Sequence, residues 1–109
     1  MSKTEIIGQA TPEQIQEWKG KNGGVIFKIT VTDKEEKKHV CYLRKPRRKD
    51  ISAASVAARV DQLKFNETLM RQCWLGGDPE IRTDDDLFLA ASGQVADIVE
   101  VAEAELEKL

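Results

Sequence analysis

Few side chains in this chain have obvious chemistry to offer. His39 is the only histidine, and Cys41 and Cys73 are the only cysteines among 109 residues. General acid-base work near neutral pH would fall to His39, or to a carboxylate or lysine with a strongly displaced pKa. His39 leads the alternating run Val40-Cys41-Tyr42, where it is expected to face solvent or the sheet edge. The cysteines stand 32 residues apart, with no CxxC and no histidine pair nearby, which reads as two reduced, half-buried thiols. A structural zinc site usually takes four ligands and this set falls short, so no metal and no cofactor is expected. None of Ser52, Ser55 and Ser92 lies in a nucleophile-elbow sequence, and no catalytic residue is assigned.

Two glycine pairs and one acidic stretch are also candidates. Gly23-Gly24 and Gly76-Gly77 do not continue into a phosphate-cradling glycine pattern and read as turns or helix stops. Asp78, Glu80, Asp84, Asp85 and Asp86 suggest calcium, but counting from Asp78 puts Arg82 at the fifth position and Thr83 at the sixth, where a calcium loop needs a ligand and a glycine. These acids are expected to open a helix instead, where its dipole favours negative charge.

Charge is the more informative feature. The formal net charge of −2 conceals segregation: residues 34–49 hold eight Lys or Arg against two Glu, whereas residues 78–109 hold ten acids against two basic residues. The sharpest basic run is Arg44, Lys45, Arg47, Arg48 and Lys49 around Pro46. Clustered cations of this kind attract phosphates and point to a small nucleic-acid-associated protein. Against that reading stand the acidic whole, the lack of an interleaved aromatic residue and the absence of a nucleic-acid-binding signature. The run equally suits an acidic helix, in the same molecule or another copy, or one pole of a protein-docking surface.

The elements that must carry these residues follow from capping and periodicity. Thr11-Pro12-Glu13-Gln14 is a capping box with proline at the first helical position, and predicts a short helix to about Lys21 anchored by Ile15 and Trp18. Val25, Phe27, Ile29 and Val31 alternate on one face of a strand; a polar break at residues 33–37 and a second strand from Lys38 to Arg44 complete a hairpin. An isolated hairpin is marginal in water, so it must meet helices or another copy of the chain. Everything after Lys49 reads as helical. Ile51, Ala54, Ala58 and Leu63 share one face, Phe65, Leu69, Met70, Cys73 and Trp74 another, and Gly76 suits the end of that second helix. Thr83 before three aspartates predicts the start of a final helix, with a kink or break at Ser92-Gly93 and an exposed tail from Val101 to Glu107. The fold class is α+β, in one domain over residues 1–109: an N-terminal arm and helix (1–22), a β-hairpin (23–45) and a C-terminal helical bundle (50–109). The longest apolar stretch, Leu87 to Ala91, is far below the ~20 residues that span a bilayer, and no signal-peptide core follows the N-terminus.

With its hairpin ending in Tyr42-Leu43-Arg44-Lys45-Pro46-Arg47-Arg48, then Lys64-Phe65-Asn66-Glu67, Cys73-Trp74 with Gly76-Gly77-Asp78, and a final acidic helix, the chain resembles small tail-assembly chaperones of long-tailed phages and prophages over residues 25–109. Arg47 departs from that family, which carries a small hydroxyl residue there. The resemblance implies a non-catalytic protein of the host bacterial cytoplasm that coats a tape-measure protein and is displaced by tail-tube subunits. It also implies an apolar groove for amphipathic helices. Candidate groove residues are Phe65, Leu69, Met70, Trp74, Leu87 and Phe88, with Arg44, Lys45, Arg47 and Arg48 as a basic docking pole. Self-association is expected; a membrane or a small-molecule substrate is not.

Overall fold

A computed structural model describes residues 6–99 and 106–109. Its elements are β1 (Ile6–Ile7), α1 (Pro12–Lys21), β2 (Ile26–Thr32), β3 (Lys38–Arg44), α2 (Arg48–Ala58), α3 (Lys64–Cys73), β4 (Trp74–Gly77), α4 (Glu80–Thr83) and α5 (Asp85–Val99). The architecture is α+β, and β3 lies at the centre of its sheet. One edge of β3 pairs antiparallel with β2 along its whole length, from Ile26 opposite Arg44 to Thr32 opposite Lys38. The other edge takes β1, parallel, at Lys38 and His39, and β4, antiparallel, from Cys41 to Leu43.

The hairpin forms where alternation and the polar loop place it. Phe27, Ile29 and Val31 lie across from Leu43, Cys41 and His39, and this face packs against Leu87, Ala91, Val95 and Ile98 of α5. Val40 and Tyr42 occupy the opposite face and are also buried. There α1 covers the sheet through Trp18, whose ring centroid lies 5.4 Å from that of Tyr42, while the Tyr42 hydroxyl accepts from the Ala10 backbone N–H at 3.2 Å. The Thr11–Gln14 capping box starts α1, with both reciprocal bonds present.

Four readings need correction. Trp74–Gly77 is a strand, not the end of a helix and a turn, because the apolar run Val40 to Leu43 needs hydrogen-bond partners on its second edge as well as its first. Gly77 makes that approach possible: its φ is +127°, and a Cβ there would lie 2.5 Å from the Cys41 Cα. The final helix is capped one residue later than Thr83, by Asp84, whose Oδ1 accepts from the Leu87 N–H at 3.0 Å. Neither is there a break at Ser92-Gly93, since α5 continues to Val99 and the Ser92 hydroxyl donates back to the Phe88 carbonyl at 2.9 Å. Lastly, both cysteines are fully buried, and burial pushes the Cys41 thiol up to about 12 and the Cys73 thiol up to about 11. The tail from Val101 lies outside the described residues as far as residue 105.

The C-terminal end of β3 is locked by a buried ion pair. Arg44 places its two terminal guanidinium nitrogens on the two Asp50 oxygens at 2.7 and 3.0 Å, and donates further bonds to the Lys45 carbonyl and to the Gln72 carbonyl at the end of α3. Asp50 is wholly buried and also accepts from the Arg47 N–H, closing the first turn of α2. Asp50→Ala is expected to cost about 3–5 kcal/mol of stability in denaturant titrations, because it strands the Arg44 charge. Arg44 holds the Asp50 carboxyl below its ordinary 3.8. Its contribution is therefore present above about pH 4 and lost as pH falls through the depressed folded value.

Candidate functional site

The structure divides the expected groove residues between the core, the cleft beside His39 and the surface beside α3. Leu69 is enclosed in the core, as is Leu87, which corrects their place in an open groove. Met70 is buried as well, yet its surface floors a cavity of about 230 Å³ between α3 and α4. Phe65 is half-buried against the core. Trp74 begins β4 opposite Leu43, and its ring carries the Arg82 guanidinium 4.2 Å above the centroid.

What remains open is a groove between α3 and the α4–α5 corner. A second cavity of about 510 Å³, lined by Leu63, Lys64, Arg82, Phe88 and Leu89, shares Glu67, Arg82 and Phe88 with the smaller one, so the two adjoin. Leu63 and Leu89 are 58% and 55% exposed. Sequence reasoning missed Arg82 and Leu89, and it placed Leu63 on the packed face of α2 with Ile51, Ala54 and Ala58, whereas Leu63 lies beyond that helix, open to solvent at the start of α3. Only the packing of α3 beside α5 makes the two leucines neighbours.

The basic pole is smaller than the sequence suggests. Arg44 is consumed by Asp50 and is not a free docking cation. Lys45, Arg47, Arg48 and Lys49 are exposed, and none forms an ion pair among the described residues. Arg48 and Lys49 occupy the first turn of α2, where the helix dipole disfavours positive charge.

His39 departs most from expectation: it is buried, not solvent-facing. Its Nδ1 lies 2.6 Å from Asp78 Oδ2 and its Nε2 lies 2.8 Å from Asp33 Oδ2. A neutral imidazole offers one donor and one acceptor, so two carboxylate oxygens on its two nitrogens select the imidazolium. The hydrogen bond to Asp33, then that to Asp78, raises the His39 pKa above 6.5 against the opposing effect of burial. Reciprocally, the His39 bond lowers the pKa of Asp33. Asp33 is positioned by its own loop, since its Oδ1 accepts from the Glu35 and Lys37 N–H groups at 2.8 and 3.0 Å. Asp78, far from simply opening a helix, is pinned to β3 by its N–H on the Val40 carbonyl at 2.9 Å, and its Oδ1 accepts from the Glu80 N–H. Held this way, His39 has no lone pair with which to take a proton from a substrate. No sequence signal joins His39 to Asp78, 39 residues away.

The triad lies beside a cleft of about 340 Å³ whose mouth carries Glu35, Glu80, Asp84 and Asp86. Among the described residues, His39, Asp78 and Glu80 form the one group of potential metal ligands, their donor atoms all within 4.8 Å of one another. No protein-family model, curated protein or solved structure matches the chain.

A group whose folded pKa is raised contributes stability that is fully present below its unfolded value and lost as pH rises through the folded one. In metal-free buffer the difference in melting temperature between the unmodified protein and His39→Gln is therefore expected to be largest near pH 6 and to shrink at alkaline pH. A pH-independent difference would show that the imidazolium is not the form held.

Proposed function

We propose that this protein is a non-catalytic binding protein of the tail-assembly chaperone kind, which holds an amphipathic helical segment of a long tape-measure-like partner in the host bacterial cytoplasm until tail-tube subunits displace it. The observation that carries the reading is the pair of adjoining cavities between α3 and the α4–α5 corner, which share Glu67, Arg82 and Phe88 and present Leu63, Phe88 and Leu89 along them. Their apolar side chains suit the buried stripe of an incoming helix, and Lys64, Glu67, Arg82 and Asp85 offer charges of both signs to that helix's polar flanks. The resemblance in residues 42–48 and 64–78 adds support from the sequence. Self-association belongs to the same proposal, through the charge-segregated surface. No helix among the described residues is long and apolar enough to cross a membrane.

Co-expression with the longest helical protein encoded nearby tests the reading. The partner should become soluble and co-purify, and Leu63→Asp with Leu89→Asp should abolish capture without lowering the melting temperature, because both side chains already face solvent. A partner that stays insoluble, or is captured equally well by the double variant, would contradict it.

A second reading, a nucleic-acid-associated protein, rests on Lys45, Arg47, Arg48 and Lys49, exposed and partly placed where they weaken their own helix. In that case the protein binds nucleic acid at low salt, with affinity falling steeply as salt rises, and Arg47→Glu with Arg48→Glu removes the binding. No binding at low salt ends this reading.

A further inference from the structure

The cleft beside the hairpin loop holds donors that the groove does not use. The His39 and Asp78 side chains are 5% and 6% exposed, and the Glu80 carboxylate hangs at the cleft mouth. Zinc held at about 2.0–2.2 Å by nitrogen and oxygen ligands sets them roughly 3.3–3.5 Å apart in a tetrahedron. The three donors, none more than 4.8 Å from another, reach that spacing by rotation of the exposed Glu80 and by a separation of His39 from Asp78 of less than ~1 Å. We propose that His39 Nδ1, Asp78 Oδ2 and the Glu80 carboxylate form a binding site for one divalent transition-metal ion of zinc-like preference, with a remaining position open to the cleft.

The chemistry of the donors selects this class of ion. One imidazole with two carboxylates suits borderline ions such as zinc or cobalt, whereas magnesium and calcium prefer shells of six or more oxygens. The group on the far side of the ring is an independent indication. A metal-bound histidine almost always donates its other N–H to a carboxylate or carbonyl, which fixes the ring and its tautomer. Here Nε2 faces Asp33 Oδ2 at 2.8 Å, and Asp33 is itself immobilised by two backbone N–H groups of the loop. Asp78 is equally prepared: its Oδ1 is occupied by the Glu80 N–H, which leaves Oδ2 as the single oxygen aimed at His39. Both ligands stand on regular or pinned backbone, His39 in β3 and Asp78 on the Val40 carbonyl. Glu35, Asp84 and Asp86 outnumber Lys34 in the cleft wall, and the net negative charge raises the local concentration of cations.

Without the ion, the Nδ1 proton bridges His39 and Asp78. The ion takes the place of that proton, which leaves to solvent, and the neutral imidazole keeps its Nε2–H on Asp33. The site is independent of the α3–α5 groove, and its outcome does not depend on a tape-measure partner.

The test uses the full chain, stripped of metal and free of any tag. Titration with Co²⁺ should give the visible absorption of a tetrahedral ion, saturating at one equivalent, and Zn²⁺ should displace it. Asp33→Asn is expected to weaken binding about 10–100-fold through the ligand it orients. Glu80→Gln should weaken it about ten-fold or more while leaving the melting temperature of the metal-free protein unchanged, because Glu80 is exposed. His39→Gln should abolish it. The proposal is overturned if the unmodified protein shows no saturable uptake of either ion, or if uptake is the same after Glu80→Gln and His39→Gln.

Discussion

Strand β3 is the constraint on which the rest of the molecule depends. It is hydrogen-bonded on both edges and buried on both faces from Val40 to Leu43, and so has no free surface to absorb an error. Its ends carry charge: His39 at one and Arg44 at the other. Each charge is met by aspartates from a different part of the chain, Asp33 and Asp78 around His39, Asp50 opposite Arg44. Buried ion pairs add little net stability over well-packed apolar groups, because desolvation offsets most of their attraction. Their value here lies in register. A one-residue slip would turn both side chains to the opposite faces of the sheet and leave the buried Asp50 and Asp78 without their partners.

From that strand the other elements take their places. The His39 lock draws together the hairpin loop and the β4–α4 turn; the Arg44 lock draws together the start of α2 and the end of α3. Trp18 and Tyr42 hold α1 on the back face, and α5 fills the front. The α3–α5 side is left with leucines at the surface and an arginine parked on Trp74. A surface of that kind can receive a helix without any change in the sheet that supports it.

Elements with a local signature were legible in the sequence. Thr11 to Gln14 specify α1 through bonds between near neighbours, and alternation from Val25 to Val31 specifies a half-buried strand. β4 was not legible, since it is four residues long, half glycine, and exists only because it completes β3. The uninterrupted apolar run Val40-Cys41-Tyr42-Leu43 was the available signal, as a strand buried on both faces requires cover on both. The same reasoning places His39 inside, where alternation alone placed it at an edge. Arg44 shows the converse: within a basic run it looks like a docking cation, and only the fold brings Asp50 and the Gln72 carbonyl to its fork. Half of the proposed recognition surface was equally hidden, because Leu63 and Leu89 become neighbours through tertiary packing.

We propose that the sheet is a fixed support and the α3–α5 face the recognition surface. Amide hydrogen exchange on the free protein and on a complex with the proposed tape-measure-like partner tests this most directly. Amides of α3, α4 and the first half of α5 are expected to gain protection in the complex, while β2 and β3, slow in both states, do not change. Protection confined to residues 45–49 and the start of α2, or exchange in β3 as fast as in the loops, would contradict it.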